Sequence, residues 1–159
     1  MRSSSIWKRE RVVATNPRRA YVRRMVRASA PEIFDAWTVP SEMGHWMTPV
    51  GSASAEVDLR VGGRFRLVMA DEHQSIEHTG EYRVIDRPHL LVFTWRSQFT
   101  SMRDTLVTVR LTERSATETE LEIIHELDTP EQAASHADGW NQIVSRLETF
   151  IEATGVEAP

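Results

Sequence analysis

The strongest pattern in the chain lies near its end. Trp140, Ile143, Val144, Leu147, Phe150 and Ile151 recur at steps of three and four, with Asn141, Ser145, Glu148 and Glu152 on the opposite side. That spacing predicts a long amphipathic helix over residues 134–153. Ahead of it the period changes to two. Residues 20–28 alternate Tyr21, Arg23 and Met25 against Val22, Arg24 and Val26, and read as a first strand. Ala55, Val57 and Leu59 alternate with Glu56 and Asp58; Phe65, Leu67 and Met69 alternate with Arg64 and Arg66. His78, Gly80, Tyr82 and Val84 fall on one face against Glu77, Thr79, Glu81 and Arg83. Leu91, Phe93 and Trp95 follow, then strands over 105–112 and 117–127. In the last of these, Leu121, Ile123, His125 and Leu127 oppose Glu118, Glu120, Glu122 and Glu126, a half-buried pattern that leaves the glutamates as a solvated face.

Between the first and second strands the period is helical. Ser29 can cap a helix carrying Pro31 and Glu32 in its first turn and Ile33, Phe34 and Trp37 on one face; Pro40 ends it. A second short helix runs from Ser41 through Met47, stopped by Pro49. Gly62-Gly63, residues 71–74, residues 86–89 and residues 113–116 read as turns. The stretch DTPEQ at 128–132 reads as a loop with a capping signature before the long helix. The order predicts an α+β domain: a curved antiparallel sheet of about seven strands, two short helices after the first, and a long C-terminal helix across the concave face. Such a grip either packs solid or leaves a cavity.

Composition narrows the setting. At 159 residues, with 40% hydrophobic and 26% charged residues, the chain can bury one sizeable core. No apolar run is long enough for a membrane span, and the N-terminus lacks the apolar segment of a secretory signal. No cysteine is present, which excludes disulfides, thiol nucleophiles and thiolate metal sites. These features predict a cytoplasmic protein without membrane association. Residues 1–24 hold eight basic residues and one acid, net +7, which leaves −11 for the rest of a chain of net charge −4. Residues 1–19 read as a basic tail and 20–154 as a single domain. The tail lacks the interleaved aromatics of a single-strand binder, so a nucleic-acid partner is not expected.

APEIFDAW at 30–37, VGGRFR at 61–66, GEYRVIDRP at 80–88, LVFTW at 91–95, TLVTVRL at 105–111, TEL at 119–121, HEL at 125–127 and GW at 139–140 together resemble the START-like (Bet v 1-like, SRPBCC) superfamily. Within it they are similar to the family named for the C-terminal domain of the activator of Hsp90 ATPase. The resemblance spans about residues 20–153 and implies a helix-grip fold. It implies no single function, because this superfamily includes ligand carriers, cyclases, self-sacrificing resistance proteins and co-chaperones. A stress-response role as a chaperone activator would follow from the family name. Co-chaperones of that kind carry a further N-terminal domain for which this chain has no room.

On this fold the inward residues are candidates to line a pocket: Trp37, Trp46, Phe65, Leu67, Met69, Tyr82, Phe93, Trp95, Ile123, His125, His136, Trp140 and Val144. Aromatic walls with a few polar tips suit a small hydrophobic or aromatic ligand, and the same residues can equally fill a core. His125, His78 and Tyr82 are the candidates for acid–base work in a cyclase or hydrolase. His78, His125 and His136 can approach one another, yet no H-x-H or H-E-x-x-H spacing is present, so neither a metal nor a cofactor is expected. Were His125 buried, Tyr82 or a water could satisfy it. Arg64, Arg66 and Arg83 could form an outward basic patch for a chaperone or regulator protein, and an exposed edge strand leaves a homodimer open. Ligand binding without catalysis is the favoured reading, with an opening near the 97–103 loop and residues 128–136.

Overall fold

The computed structural model describes residues 16–157, so most of the basic tail lies outside the described residues. Eleven elements follow in order. They are β1 (Arg19–Val26), α1 (Ala30–Thr38), α2 (Pro40–Trp46), β2 (Ser52–Val57), β3 (Arg64–Ala70), β4 (Ser75–Asp86), β5 (Leu90–Trp95), a 3-10 turn (Gln98–Thr100), β6 (Thr105–Glu113), β7 (Thr119–Glu126) and α3 (Pro130–Glu157). The seven strands form one antiparallel sheet ordered β1-β7-β6-β5-β4-β3-β2. α3 packs across β1 and β7 and against α2. This is the α+β helix-grip architecture the alternation predicted. No helix among the described residues is long and apolar enough to cross a membrane.

Local chemistry explains the helix boundaries. Ser29 Oγ accepts from the Glu32 amide at 3.3 Å while Glu32 Oε1 accepts from the Ser29 amide at 2.9 Å, a reciprocal cap that starts α1. α3 begins at Pro130, four residues before the expected start. Thr129 Oγ1 accepts from the Gln132 amide at 3.1 Å and the Gln132 side chain accepts from the Asp128 amide at 3.2 Å. Proline at the first helical position has no amide to leave unsatisfied, so the DTPEQ loop is itself the cap and first turn.

One core joins the inner sheet face to the helices: Val22, Val26, Val109, Leu121 and Ile123 from the sheet, Ile33, Phe34 and Trp37 from α1, and Trp140, Val144 and Leu147 from α3 are all buried. Arg24 lies in the same file of β1 as Val22 and Val26, but its guanidinium reaches α3, donating to Glu148 at 2.8 Å and Asn141 Oδ1 at 3.2 Å.

Three expectations need correction. Val84 does not follow Tyr82 inward: a bulge between Tyr82 and Val84 shifts the register with β5, and the extra residue reverses the alternation. Glu120 is not part of a solvated face. It is only 5% exposed and is held by Arg23 and Arg114, whose hydrogen bonds, against the penalty of burial, keep its carboxyl below its usual range. The proposed basic patch is largely neutralised, since Arg66 pairs with Glu77 across strands and Arg83 approaches Glu81 at 3.8 Å.

Candidate functional site

The helix does not cover the sheet evenly. Between the first half of α3 and the β3–β4–β5 side of the sheet lies a cavity of about 250 Å³. Its walls are Ser135, His136, Gly139, Trp140 and Ile143 from α3, Met69 and Ala70 from β3, Ile76 and His78 from β4, and Trp95 from β5. Residues 48–50, Asp71, Gln74 and Phe99 complete it. Val50 and Phe99 are 58% and 47% exposed and form an apolar rim.

Fixed backbone holds this rim in place. Arg146 on α3 donates to the Thr48 carbonyl at 2.8 Å and the Gly51 carbonyl at 3.1 Å, tying the α2–β2 turn to the helix. Gly51 has φ +75°, and a Cβ there would collide with the Ala70 carbonyl, so the turn can close only on glycine. Opposite, Ser97 Oγ accepts from the Phe99 amide at 3.0 Å, and Thr100 Oγ1 donates to the Arg103 carbonyl at 2.8 Å; both bonds fix the loop that carries Phe99.

Behind the cavity, aromatic rings pack together around a void of only about 10 Å³. Trp37 meets Trp46 edge-on at 4.9 Å and Trp140 at 5.8 Å; Phe65 meets Tyr82 and Phe93 at 5.5 Å each. Gly80 makes this possible, since a Cβ there would overlap the Phe65 ring and the Thr94 carbonyl. Of the sequence candidates, Met69, His78, Trp95, His136 and Trp140 line the cavity. Trp37, Trp46, Phe65, Leu67, Tyr82, Phe93, Ile123, His125 and Val144 are buried in the core around it. Ile76, Ser135, Gly139 and Phe99 were not among the candidates. Gly139 carried a signal, because glycine inside a helical pattern is costly and asks for a reason.

His125 is fully engaged. The Trp140 indole N–H donates to His125 Nδ1 at 3.0 Å. An indole nitrogen only donates, so Nδ1 carries no proton. The proton of the neutral ring is therefore on Nε2, which donates to Thr105 Oγ1 at 2.8 Å, and that hydroxyl donates to the Trp95 carbonyl at 2.6 Å. Burial, with the nearby His136 adding to it, holds His125 well below its usual pKa. Tyr82, the expected partner, takes no part in this relay; burial raises its phenol above the usual range.

His136 and His78 differ from His125. His136 Nδ1 lies 2.8 Å from the Gln132 carbonyl, which only accepts, so Nδ1 bears the proton and Nε2 a lone pair. Burial lowers the His136 pKa against the pull of that carbonyl. Burial also drives His78 down to about 4, against a smaller raising influence from the Ile76 and Leu67 backbone. His78 Nδ1 makes no hydrogen bond of normal geometry, nor does Trp95 Nε1, and both atoms are buried. The deep wall is thus built of uncharged aromatic and aliphatic side chains with polar groups left over, and the Asp71 carboxylate stands at its rim. Among the described residues, no three His, Asp or Glu side chains gather as a metal site.

The model of the family "Activator of Hsp90 ATPase homolog 1-like protein" matches residues 27–152. The chain belongs to this family. Solved structures share its fold. A Nitrosomonas europaea protein superposes with a TM-score of 0.76 at 20% identity, over 89% of this chain and 98% of its own. One from Rhodobacter sphaeroides gives 0.75 at 22% identity, over 87% and 95%. CalU16 from Micromonospora echinospora gives 0.66 at 24% identity, over 82% and 74%. No curated protein matches the sequence. At these identities the likeness concerns the fold alone.

Proposed function

We propose that the protein binds a small, flat, mostly apolar molecule in the cavity between α3 and β3–β5. The observation that carries this reading is Gly139. It sits inside α3, where glycine costs about 1 kcal/mol relative to alanine. A Cβ at this position would meet nothing within 4 Å, because the cavity lies against it. A helix selected for packing alone would place a side chain there. The surrounding walls are aromatic and aliphatic with few polar atoms, as in small-molecule sites generally. Membership of a family built on the grip fold supports a binding role in general.

Catalysis by the cavity histidines would fall to His136 and His78, since both His125 nitrogens are engaged. With Arg66 and Arg83 held beside Glu77 and Glu81, Arg64 by itself does not favour the chaperone or regulator reading over the cavity.

The test is uptake of N-phenyl-1-naphthylamine, whose emission rises in an apolar site. The wild-type chain should take it up in one saturable phase. Gly139→Leu, which puts a good helix former into the empty space, should abolish uptake while leaving the melting temperature equal or higher. Undiminished uptake in Gly139→Leu would show that the probe binds elsewhere and would overturn the proposal.

A further inference from the structure

A cavity that binds only by shape would leave no polar valence open, and this one leaves several. The Trp140 N–H is committed to His125, and the Thr48 hydroxyl donates to the Val50 carbonyl at 2.6 Å. Asp71 Oδ1 at the rim accepts the His73 and Gln74 amides at 2.8 and 2.9 Å. The Ser135 hydroxyl and the Gln74 amide also border the cavity but are exposed; what remains deeper in the wall is the His136 ring, the His78 ring and the Trp95 indole.

His136 is the decisive one. Its Nδ1 proton is fixed on the Gln132 carbonyl of its own helix, so the opposite edge of the ring presents a lone pair at Nε2. No protein donor among the described residues meets that nitrogen. The ring stands edge-on to His125 at 4.9 Å, and the His125 nitrogens are engaged with Trp140 and Thr105, so His125 cannot serve it. His78 packs on Trp95 at 4.8 Å and adds a second imidazole with a buried nitrogen lacking a partner. The Trp95 N–H is a donor with no acceptor. A hydroxyl matches such a wall: its hydrogen serves an imidazole lone pair, and its oxygen can accept in turn. A carboxylate does not match, since it offers no proton and meets neutral rings that burial discourages from charging.

Resting on the cavity reading, we infer that the ligand is a flat aromatic alcohol of the phenol or naphthol class, whose hydroxyl donates to Nε2 of His136. The ring system lies among Trp95, Trp140 and Ile143, and the hydroxyl gives the otherwise apolar site its orientation and selectivity.

Three probes of one shape test this on the full chain: 2-naphthol, 2-methoxynaphthalene and 2-naphthoate, followed by quenching of tryptophan emission. The wild type should bind 2-naphthol about tenfold more tightly than 2-methoxynaphthalene, the difference one buried hydrogen bond commands, and 2-naphthoate most weakly. In His136→Phe the preference for 2-naphthol over its methyl ether should fall to near unity while the ether still binds. Equal binding of naphthol and ether by the wild type overturns the hydroxyl inference and leaves the cavity reading standing; this arm needs no variant. A preference retained in His136→Phe overturns the role of His136. Failure of all three probes to bind overturns the cavity reading and this inference together.

Discussion

The two halves of the concave face are built from the same residue types and behave differently. Over β1 and β7, α3 lies close: Val22, Val26, Leu121 and Ile123 share one buried core with Val144 and Leu147. Over β3, β4 and the end of β5, the same helix stands off, and Met69, Ile76 and Trp95 look into open volume. The difference comes from three local features. Arg24 clamps the second half of α3 onto β1. Arg146 props the α2–β2 turn at the rim. Gly139 withholds a side chain from the first half. One half therefore supplies stability, and the other leaves room for a ligand.

The sharpest way to break this comparison is a truncation in each half. Leu147→Ala removes a fully buried side chain from the closed half and should cost about 2–5 kcal/mol in urea unfolding. Met69→Ala borders space that is already empty, so it should cost about 1 kcal/mol or less. Similar losses at both positions would show that the cavity side carries as much of the core as the closed side.

Acid sharpens it next. A histidine whose pKa is depressed in the folded state binds fewer protons there than when unfolded, so stability is complete above the unfolded value and falls as pH drops toward the folded one. For His78 the window runs from about 6.5 down to about 4. By pH 5 this residue alone should cost about 2 kcal/mol. His125 and His136 are shifted in the same direction and add to the slope. Glu120 belongs to the closed half and acts lower, its stabilisation being lost only as pH falls through its depressed carboxylate range. The check is the urea midpoint at pH 7.5 and pH 5, with His78→Gln expected to flatten the dependence. An unchanged slope in that variant would remove His78 from the account.

The smallest effect is a gain. Gly139→Ala should raise stability by about 0.5–1 kcal/mol, since the methyl enters space and the helix loses a glycine. A destabilised variant would mean that the first half of α3 packs against the sheet at Gly139 and leaves no space for a methyl group.

Much of the fold was legible along the chain. Ser29 and Glu32 announced α1, the alternation around Ile123 and His125 placed β7, and the face from Trp140 to Ile151 placed α3. Each is a local pattern that the backbone period alone converts into a buried side. Parity failed at Val84, where one inserted residue reversed every later side chain of the strand. Polarity failed at Glu120, because burial of a carboxylate depends on cations from elsewhere, here Arg23 of β1 and Arg114 of the β6–β7 turn. The site was less legible. Tyr82 and His125 share inward faces with His78, yet the first packs among Phe65 and Phe93 and the second is held by Trp140 and Thr105, leaving His78 and His136 at the cavity.

The sequence by itself determined the main elements, their order and, where the period is unbroken, which face turns inward, because those follow from the 3.6 and 2.0 residue periods of helix and strand and from capping within a few residues. Only the tertiary structure decided where the concave face is filled and where it is open. That depends on how far α3 is held from each strand, a distance set by contacts such as Arg24 to Glu148 and Arg146 to Thr48, 124 and 98 residues apart in the chain.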